Sequence, residues 1–459
     1  MMMKRFITML FLIAITLVGV RAQHTQPPQR PIIQTKYTAD PAPLIYNDTV
    51  FLYTSHDEDD AMGFKMMNWL LYYSTDMVNW TEHGVVASLK NFDWVPYENG
   101  AWAVQCVERN GKFYLYCPMP GGVGIGVLVA DTPYGPFKDP IGGPLIRNSS
   151  HDIDPTVMID DDGQAYMYWG NPKVYWVKLN EDMISYTGEI NQDPTTPANY
   201  QEGPWVWKHN GFYYMAYAST CCPEGIGYAM SSKPTGAWEN KGMIMDASEK
   251  TRGNHPGIIE YKGKWYVFGH SYDLLKHITP KFYERRSVDM EEMTYNPDGT
   301  IQNHTYFSVE GSKQVGTLNP FTRVEAETMA WSEGVKTAFE NEWEGDFDWA
   351  RGKKIADRLY VTSINHGDYI VVKGVNFNAG ANSLEVSVSP IYGGKLEIHS
   401  GSIDGPILAT VEIEGSREAG IWKSVSTPVS TIKGVHDLYF VFKGEKDLFN
   451  FDWWKFSTK

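Results

Sequence analysis

At 459 residues the chain exceeds one ordinary hydrophobic core, so two domains are the prior expectation. A formal net charge of -15 leaves no Lys/Arg stripe to neutralise phosphates, which argues against nucleic acid as a partner. The 16 Trp, 28 Tyr and 20 Phe, with 42 Gly for turns, favour strands over long helices and offer flat apolar platforms for a ligand.

Residues 1–22 read as a secretory signal peptide. MMMKR supplies the basic start, FITMLFLIAITLVGV the apolar run, and Val20-Arg21-Ala22 the small-residue exit before Gln23. The run is short for a membrane span, so no stable membrane anchor is expected and the mature chain is predicted to be periplasmic or secreted. Residues 23–36 form a polar linker.

Between residues 37 and 310, five strand pairs recur, turning in YNDTVFLYT, RNGKFYLYC, DDDGQAYMYWG, HNGFYYMAYA and YKGKWYVFGH. Marked at Asp48, Gly111, Gly163, Gly211 and Gly263, the spacings are 63, 52, 48 and 52 residues. That period predicts an all-β, five-bladed β-propeller, whose small antiparallel sheets bury their faces only by stacking around one axis. Cys106 and Cys117 flank the second turn, where a disulfide and a pair of buried thiols are both open readings. Cys221 and Cys222 lack the His pattern of a metal site.

About nine residues before each turn stand Asp40, Trp102, Asp154, Glu202 and Asn254. Three of these are carboxylates, and each precedes Pro or Gly-Pro. If the blades superpose, the acids converge on one pocket where the innermost strands begin. Carboxylates crowded into a partly dry pocket cannot all keep ordinary pKa values. One kept protonated and one kept ionised is what glycosidic hydrolysis needs. Asp152, Asp160, Asp161 and Asp162 read as turn and capping residues. Trp102, Trp169 and Trp205 are the candidate sugar platforms. Of the two histidines in the last blade, His270 is the candidate site residue and His255 reads as structural.

The texture changes after a linker at residues 311–320. From 321 to 459, alternating strands such as DRLYVTSINHGDYIVVKGVNF, KLEIHS and HDLYFVFKG predict a β-sandwich of the jelly-roll kind. The linker is short enough that the two modules should touch.

The stretches ADPAPLIYNDTVFLYTS, YYSTDMVNWTEHG, HDIDPTVMIDDDGQAYMYWG, EGPWVWKHNGFYYMAYA and NHPGIIEYKGKWYVFGH resemble glycoside hydrolase family 43. The resemblance implies inversion at the anomeric carbon. It makes Asp40 the general base, Asp154 the residue that orients the acid and tunes its pKa, and Glu202 the proton donor. It puts His270 near the axis, holding a central water or calcium ion. The implied activity is removal of terminal α-L-arabinofuranosyl residues from plant cell-wall arabinoxylan or arabinan. A β-xylosidase is the alternative, followed by an exo-galactosidase or a non-catalytic sugar-binding propeller. Many relatives carry Trp-Ala-Pro-Asp in the second blade, where this chain has Trp102-Ala103-Val104-Gln105, so the resemblance leaves the substrate open. The C-terminal region, through VEAE, INHGDYI and DLFNFDWWKF, is similar to family 6 carbohydrate-binding modules. That likeness implies a structural calcium on Glu325, Glu327 and Asp452 and a sugar cleft using Trp422 and Asn450. A second aromatic would come from Trp331, Phe339 or Trp343. No organic cofactor is expected, and oligomeric state leaves no mark in the sequence.

Overall fold

The computed structural model describes residues 30–339, 358–416 and 420–458. The predicted signal peptide and Trp343 lie outside them. Strands dominate; among the described residues the α-helical segment is Asp273–Ile278. No helix of the described residues is long and apolar enough to cross a membrane.

Five antiparallel sheets follow one another from Tyr37 to Met293. Their first strands are Tyr37–Tyr46, Gln105–Arg109, Thr156–Ile159, Tyr200–His209 and Gly257–Tyr261. Four of the five marked turns put both central residues at positive φ: Asn47-Asp48, Asn110-Gly111, Asn210-Gly211 and Lys262-Gly263. That geometry matches the right-handed twist of the flanking strands and explains why Asn, Asp and Gly recur there. The third turn, at Gly163, is closed instead by its amide donating to the Asp160 carbonyl.

Middle strands such as Phe212–Ser219 are buried on both faces, because each sheet packs against the one before and the one after. Tyr213, Met215 and Tyr217 face the third sheet through Tyr166 and Tyr168. The alternating Tyr214 and Ala216 face Ile258 and Val267 of the fifth. The first strands touch in chain order, and Gly257–Tyr261 returns to touch Tyr37–Tyr46, closing a ring. Two backbone bonds reinforce that closure, Ile32 N–H to Val288 O at 3.0 Å and Thr38 N–H to Arg286 O at 2.9 Å.

Residues beyond 320 form two further sheets. One runs Lys336–Phe339, Leu359–Thr362, Phe449–Ser457, Ser383–Pro390, Lys423–Pro428, and the other Trp331–Glu333, Tyr369–Asn376, Val435–Lys443, Gly393–Ser400, Ile407–Glu414. Leu384, Val386 and Phe451 of the first share a core with Leu396, Phe440 and Phe442 of the second. The modules are joined by pairing. Thr328–Met329 adds a strand to Trp80–Ser88, with Thr328 opposite Thr81 and Met329 opposite Trp80.

The cysteines resolve plainly. Cys106 and Cys117 are free, buried thiols. Cys106 stands opposite Leu115, whereas Cys117 stands opposite Gly126 on the next strand, so the pair never face each other. Cys221 and Cys222 form a disulfide between adjacent residues.

Candidate active site

Asp40, Asp154 and Glu202 converge at the start of the first strands, where the ladder is broken. Register shifts fall between Ala39 and Ala42 and again between Glu202 and Trp205. Asp40 and Asp154 hold positive φ, 52° and 57°, which non-glycine residues rarely adopt. The surrounding sheets hold this strain, and from these positions both carboxylates reach the same imidazole ring.

The centre of the cluster is His255, the histidine read as structural from sequence. Its Nδ1 lies 3.7 Å from Asp40 Oδ1, and its Nε2 lies 3.9 Å from Asp154 Oδ2 and 3.6 Å from Glu202 Oε1. Burial opposes its charge, but the three acids outweigh burial and push its pKa up to about 10. His255 therefore stays an imidazolium across the neutral range. The local signal was GNHPG beside Asn254, the fifth residue of the recurring position. Gly203 gives the ring room: it holds φ 63°, and a Cβ there would stand 2.8 Å from the imidazole.

Asp40 is buried. Its Oδ2 accepts from Ser55 Oγ at 2.7 Å and its Oδ1 from Arg286 Nη1 at 3.2 Å. Burial raises its pKa, yet the charges of Arg286 and His255 outweigh that and lower it overall, so Asp40 is ionised. Arg286, which sequence reading missed, is itself held by a fork onto Asp57, Nε to Oδ2 and Nη2 to Oδ1, both at 2.9 Å.

Asp154 takes one bond from Gly203 N–H at 3.2 Å, and burial raises its pKa, with the charges of Glu202 and Asp40 adding to the rise. Glu202 also suffers burial, but His255 and the amide of Asn171, 2.6 Å from Oε2, pull it below its ordinary value. Two carboxylates this close to one imidazole titrate as a pair. Burial thus favours the protonated form of Asp154, whereas Glu202 is held toward its ionised form in the free site. Both line the open cavity, and Glu202 is the more exposed of the two.

That cavity, about 380 Å³, is lined by Asp40, Asp154, Glu202, His255 and Arg286 together with Phe64, Met66 and Trp102. Trp102 is half-buried there. The other two candidate platforms are corrected. Trp169 is fully buried, stacked on Tyr175, with its indole N–H on Asp152 Oδ1 at 3.0 Å. Trp205 lies in the core beneath the acids and donates to Ile258 O at 3.0 Å. His270 is also corrected, from sugar or metal contact to support. It is fully buried, its Nδ1 accepts from Asp40 N–H at 3.3 Å, and its Nε2 meets Arg252 O at 2.8 Å. With both ring nitrogens engaged, it has no lone pair for an ion. Burial, then Arg286, lowers its pKa to about 3, so it is neutral.

In the C-terminal module Trp422 and Asn450 are half-buried. Trp422 meets Tyr360 edge-on at 5.2 Å, and Arg358 lies 4.6 Å over the Trp422 ring. Thr362 Oγ1 donates to Asn450 Oδ1 at 2.8 Å. Tyr360 is thus an aromatic beside Trp422 that the sequence reading did not single out. Trp331 is buried against Val371 and Tyr439, and the Phe339 ring packs on Gly84 of the first sheet. Neither is a free platform.

Among the described residues, the three acids expected to share calcium are not one of the groups whose ligand atoms all lie within 4.8 Å of one another. Arg323 forks onto Glu325, with Nε–Oε1 2.8 Å and Nη2–Oε2 2.7 Å, and reaches Asp452 Oδ1 at 3.3 Å. Arg358 Nε lies 3.1 Å from Asp452 Oδ2. Glu327 is buried with Oε2 unpartnered. Guanidinium charge stands where a divalent ion was expected, so the arrangement does not fit the metal. The groups among the described residues whose ligand atoms do lie within 4.8 Å of one another are Asp154, Glu202 and His255, and Cys221, Cys222 and Glu224.

Comparison with known proteins agrees with this geometry. The model for glycosyl hydrolases family 43 matches residues 28–301, and that for carbohydrate binding module family 6 matches 325–458. An arabinoxylan arabinofuranohydrolase of Bacillus subtilis (strain 168) is 33% identical, over 94% of this chain and 92% of its own length. A xylosidase/arabinosidase of Bacteroides ovatus is 30% identical over 60% of this chain and 96% of its own. Among solved structures, the family 43 arabinoxylan arabinofuranohydrolase from Bacillus subtilis, in complex with cellotetraose, superposes with a TM-score of 0.81 at 30% identity, over 94% of this chain and 98% of that one. A fold of nearly all strands, three acids around one imidazolium and two matching family models together assign the chain to glycosyl hydrolase family 43, a glycoside hydrolase carrying a family 6 carbohydrate-binding module.

Proposed function

We propose that this enzyme removes single terminal α-L-arabinofuranosyl residues from arabinoxylan or arabinan, with inversion. The observation that carries the reading is the arrangement of Asp40 and Glu202 about opposite nitrogens of the His255 ring. One ring and two contacts under 4 Å keep the carboxylates within the upper limit of the inverting range, about 9.5 Å. Asp40, held ionised by Arg286 and fixed by Ser55, takes a proton from a water that attacks the anomeric carbon. Glu202, which must carry a proton when substrate is bound, gives it to the departing oxygen and is left as the carboxylate. A cavity of about 380 Å³ has room for a pentose, and exo-action or debranching is the mode that the arabinofuranohydrolase relatives' name supports. The five sheets are the blades of a propeller in this reading, and the two C-terminal sheets a sandwich that presents Trp422 and Asn450 to polysaccharide. The N-terminal 22 residues direct export, leaving the enzyme periplasmic or secreted.

Two measurements test the chemistry. Time-resolved NMR of wild-type turnover should show β-arabinofuranose as the first product; the α-anomer first would exclude inversion. Glu202→Gln should lose most activity on arabinoxylan while keeping turnover of aryl glycosides with good leaving groups, whereas Asp40→Asn should lose both. A β-xylosidase is the second reading, favoured by the relatives named xylosidase/arabinosidase. Release assays on arabinoxylan, arabinan and xylobiose separate the two.

A further inference from the structure

The catalytic cavity contains a fourth carboxylate to which the reaction gives no task and the packing gives work for only one oxygen. Glu224 opens the strand Glu224–Ser231 and is only 2% exposed, yet it lines the cavity beside Glu202. Its Oε2 accepts from Asn254 N–H at 3.1 Å. Its other oxygen has no hydrogen-bond partner among the described residues. Of the cations whose charge reaches it, His255 acts more strongly but lies among the other three acids, and Arg252 is committed to Glu284 at 2.7 Å. A buried acid kept only for stability is normally paired, because desolvation of an unpaired carboxylate is costly.

The geometry around it converges on a point. Gly253 has φ 59°, and a Cβ built there would lie 3.7 Å from Glu202 Oε1, 3.8 Å from Glu224 Oε2 and 3.9 Å from Arg286 Nη1. Three charged groups therefore border the space that the absent side chain leaves. On another side the Cys221 and Cys222 sulfurs lie within 4.8 Å of the Glu224 carboxylate, and Cys221 also lines the cavity. The turn Cys221-Cys222-Pro223-Glu224 thus forms one wall, with an apolar disulfide at the mouth and a carboxyl group deeper in.

We propose that Glu224 is a substrate-binding residue that grips one non-reacting hydroxyl of the terminal sugar, while the adjacent disulfide bounds the cavity beside it. A sugar hydroxyl both donates and accepts, so it can satisfy the open oxygen that the protein leaves bare. Burial, reinforced by the charge of Glu202, pushes the Glu224 carboxyl up to about 7, so both its accepting and its donating forms are present near neutrality. The grip deepens the arabinofuranosyl reading and rests on it for the identity of the sugar.

The test pairs variants with deoxygenated substrates. On 4-nitrophenyl α-L-arabinofuranoside, Glu224→Ala should lower kcat/KM by about 10²-fold, because the gripped hydroxyl is left unpaired. On one of the 2-, 3- and 5-deoxy analogues that penalty should vanish, since wild type has nothing to grip there either. Glu224→Gln keeps an acceptor for Asn254 N–H, so it should melt with wild type and show the same dependence on the deoxy position. An equal loss on the parent and all three analogues would assign Glu224 to loop support and overturn the grip, as would no loss at all. Should wild type release xylose rather than arabinose, the arabinofuranosyl reading fails, and the same comparison with deoxy-xylosides still decides the role of Glu224.

Discussion

His255 sets the electrostatics of three acids at once, which makes it the residue whose loss is most informative. Removing an imidazolium within 4 Å of a carboxylate disfavours the ionised form, so the pKa of that carboxylate rises. Asp40 must be ionised to accept a proton from water, and its depressed pKa in wild type keeps the acidic limb of the rate profile low. His255→Gln should therefore move the acidic limb of kcat/KM toward neutral by about one unit. An unmoved limb would mean that Arg286 alone sets the base. At this scale the sequence was only half readable. Asp40, Asp154 and Glu202 stood at one recurring offset, so position marked them. His255 stood one residue past that offset, and Arg286, which lies 246 residues from the aspartate it contacts, had no place in it. Trp169 and Trp205 misled because an aromatic in a strand next to an acid looks the same whether it faces the pocket or the core. The facing was decided by partners on other strands, Tyr175 opposite Trp169 on the next strand of the same sheet and Ile258 of the fifth sheet beside Trp205.

Local backbone departures aim the site. Asp40 and Asp154 sit at positive φ, and Gly203 follows Glu202 with φ 63°. Adding a methyl group at Gly203 would strain the backbone and press on the ring of His255. Gly203→Ala should cost about 1–3 kcal/mol of stability, read as a lowered melting temperature. It should also reduce kcat by more than tenfold, because the imidazolium is displaced from all three acids together. A fall in melting temperature with kcat intact would show that the ring tolerates movement. The hairpins were the most legible elements, since Asn-Gly and Asn-Asp demand left-handed φ whatever surrounds them. The bulges at the first strands were not legible: Pro41, Pro155 and Pro204 hinted at interrupted pairing, but only the ring geometry shows which way each carboxylate is thrown.

The two modules behave as one body along their seam. Besides the added strand at Thr328–Met329, Glu82 Oε2 accepts from both Thr35 and Thr337, at 3.1 and 2.8 Å. Asn79 exchanges two bonds with the backbone of Lys373, each 2.8 Å. A chain ending at residue 320 loses the partners of a buried strand edge and of Glu82. It should melt several degrees below the full chain, and the full chain should unfold in a single calorimetric transition. Two separate transitions, with the shorter chain unaffected, would show a seam of little energetic weight. Sequence reading anticipated contact from the short linker. It did not foresee shared strands, because a two-residue strand leaves no periodicity to detect.

The closure of the ring carries a consequence for how the enzyme comes to life. Asp40 emerges early in synthesis, but the guanidinium that holds it ionised is translated 246 residues later. The strand bearing Asp40 likewise finds its last neighbours, around Val288, only when the fifth sheet has been made. A nascent or prematurely terminated polypeptide therefore lacks the assembled site, and hydrolytic competence arrives with the final turn of the circle.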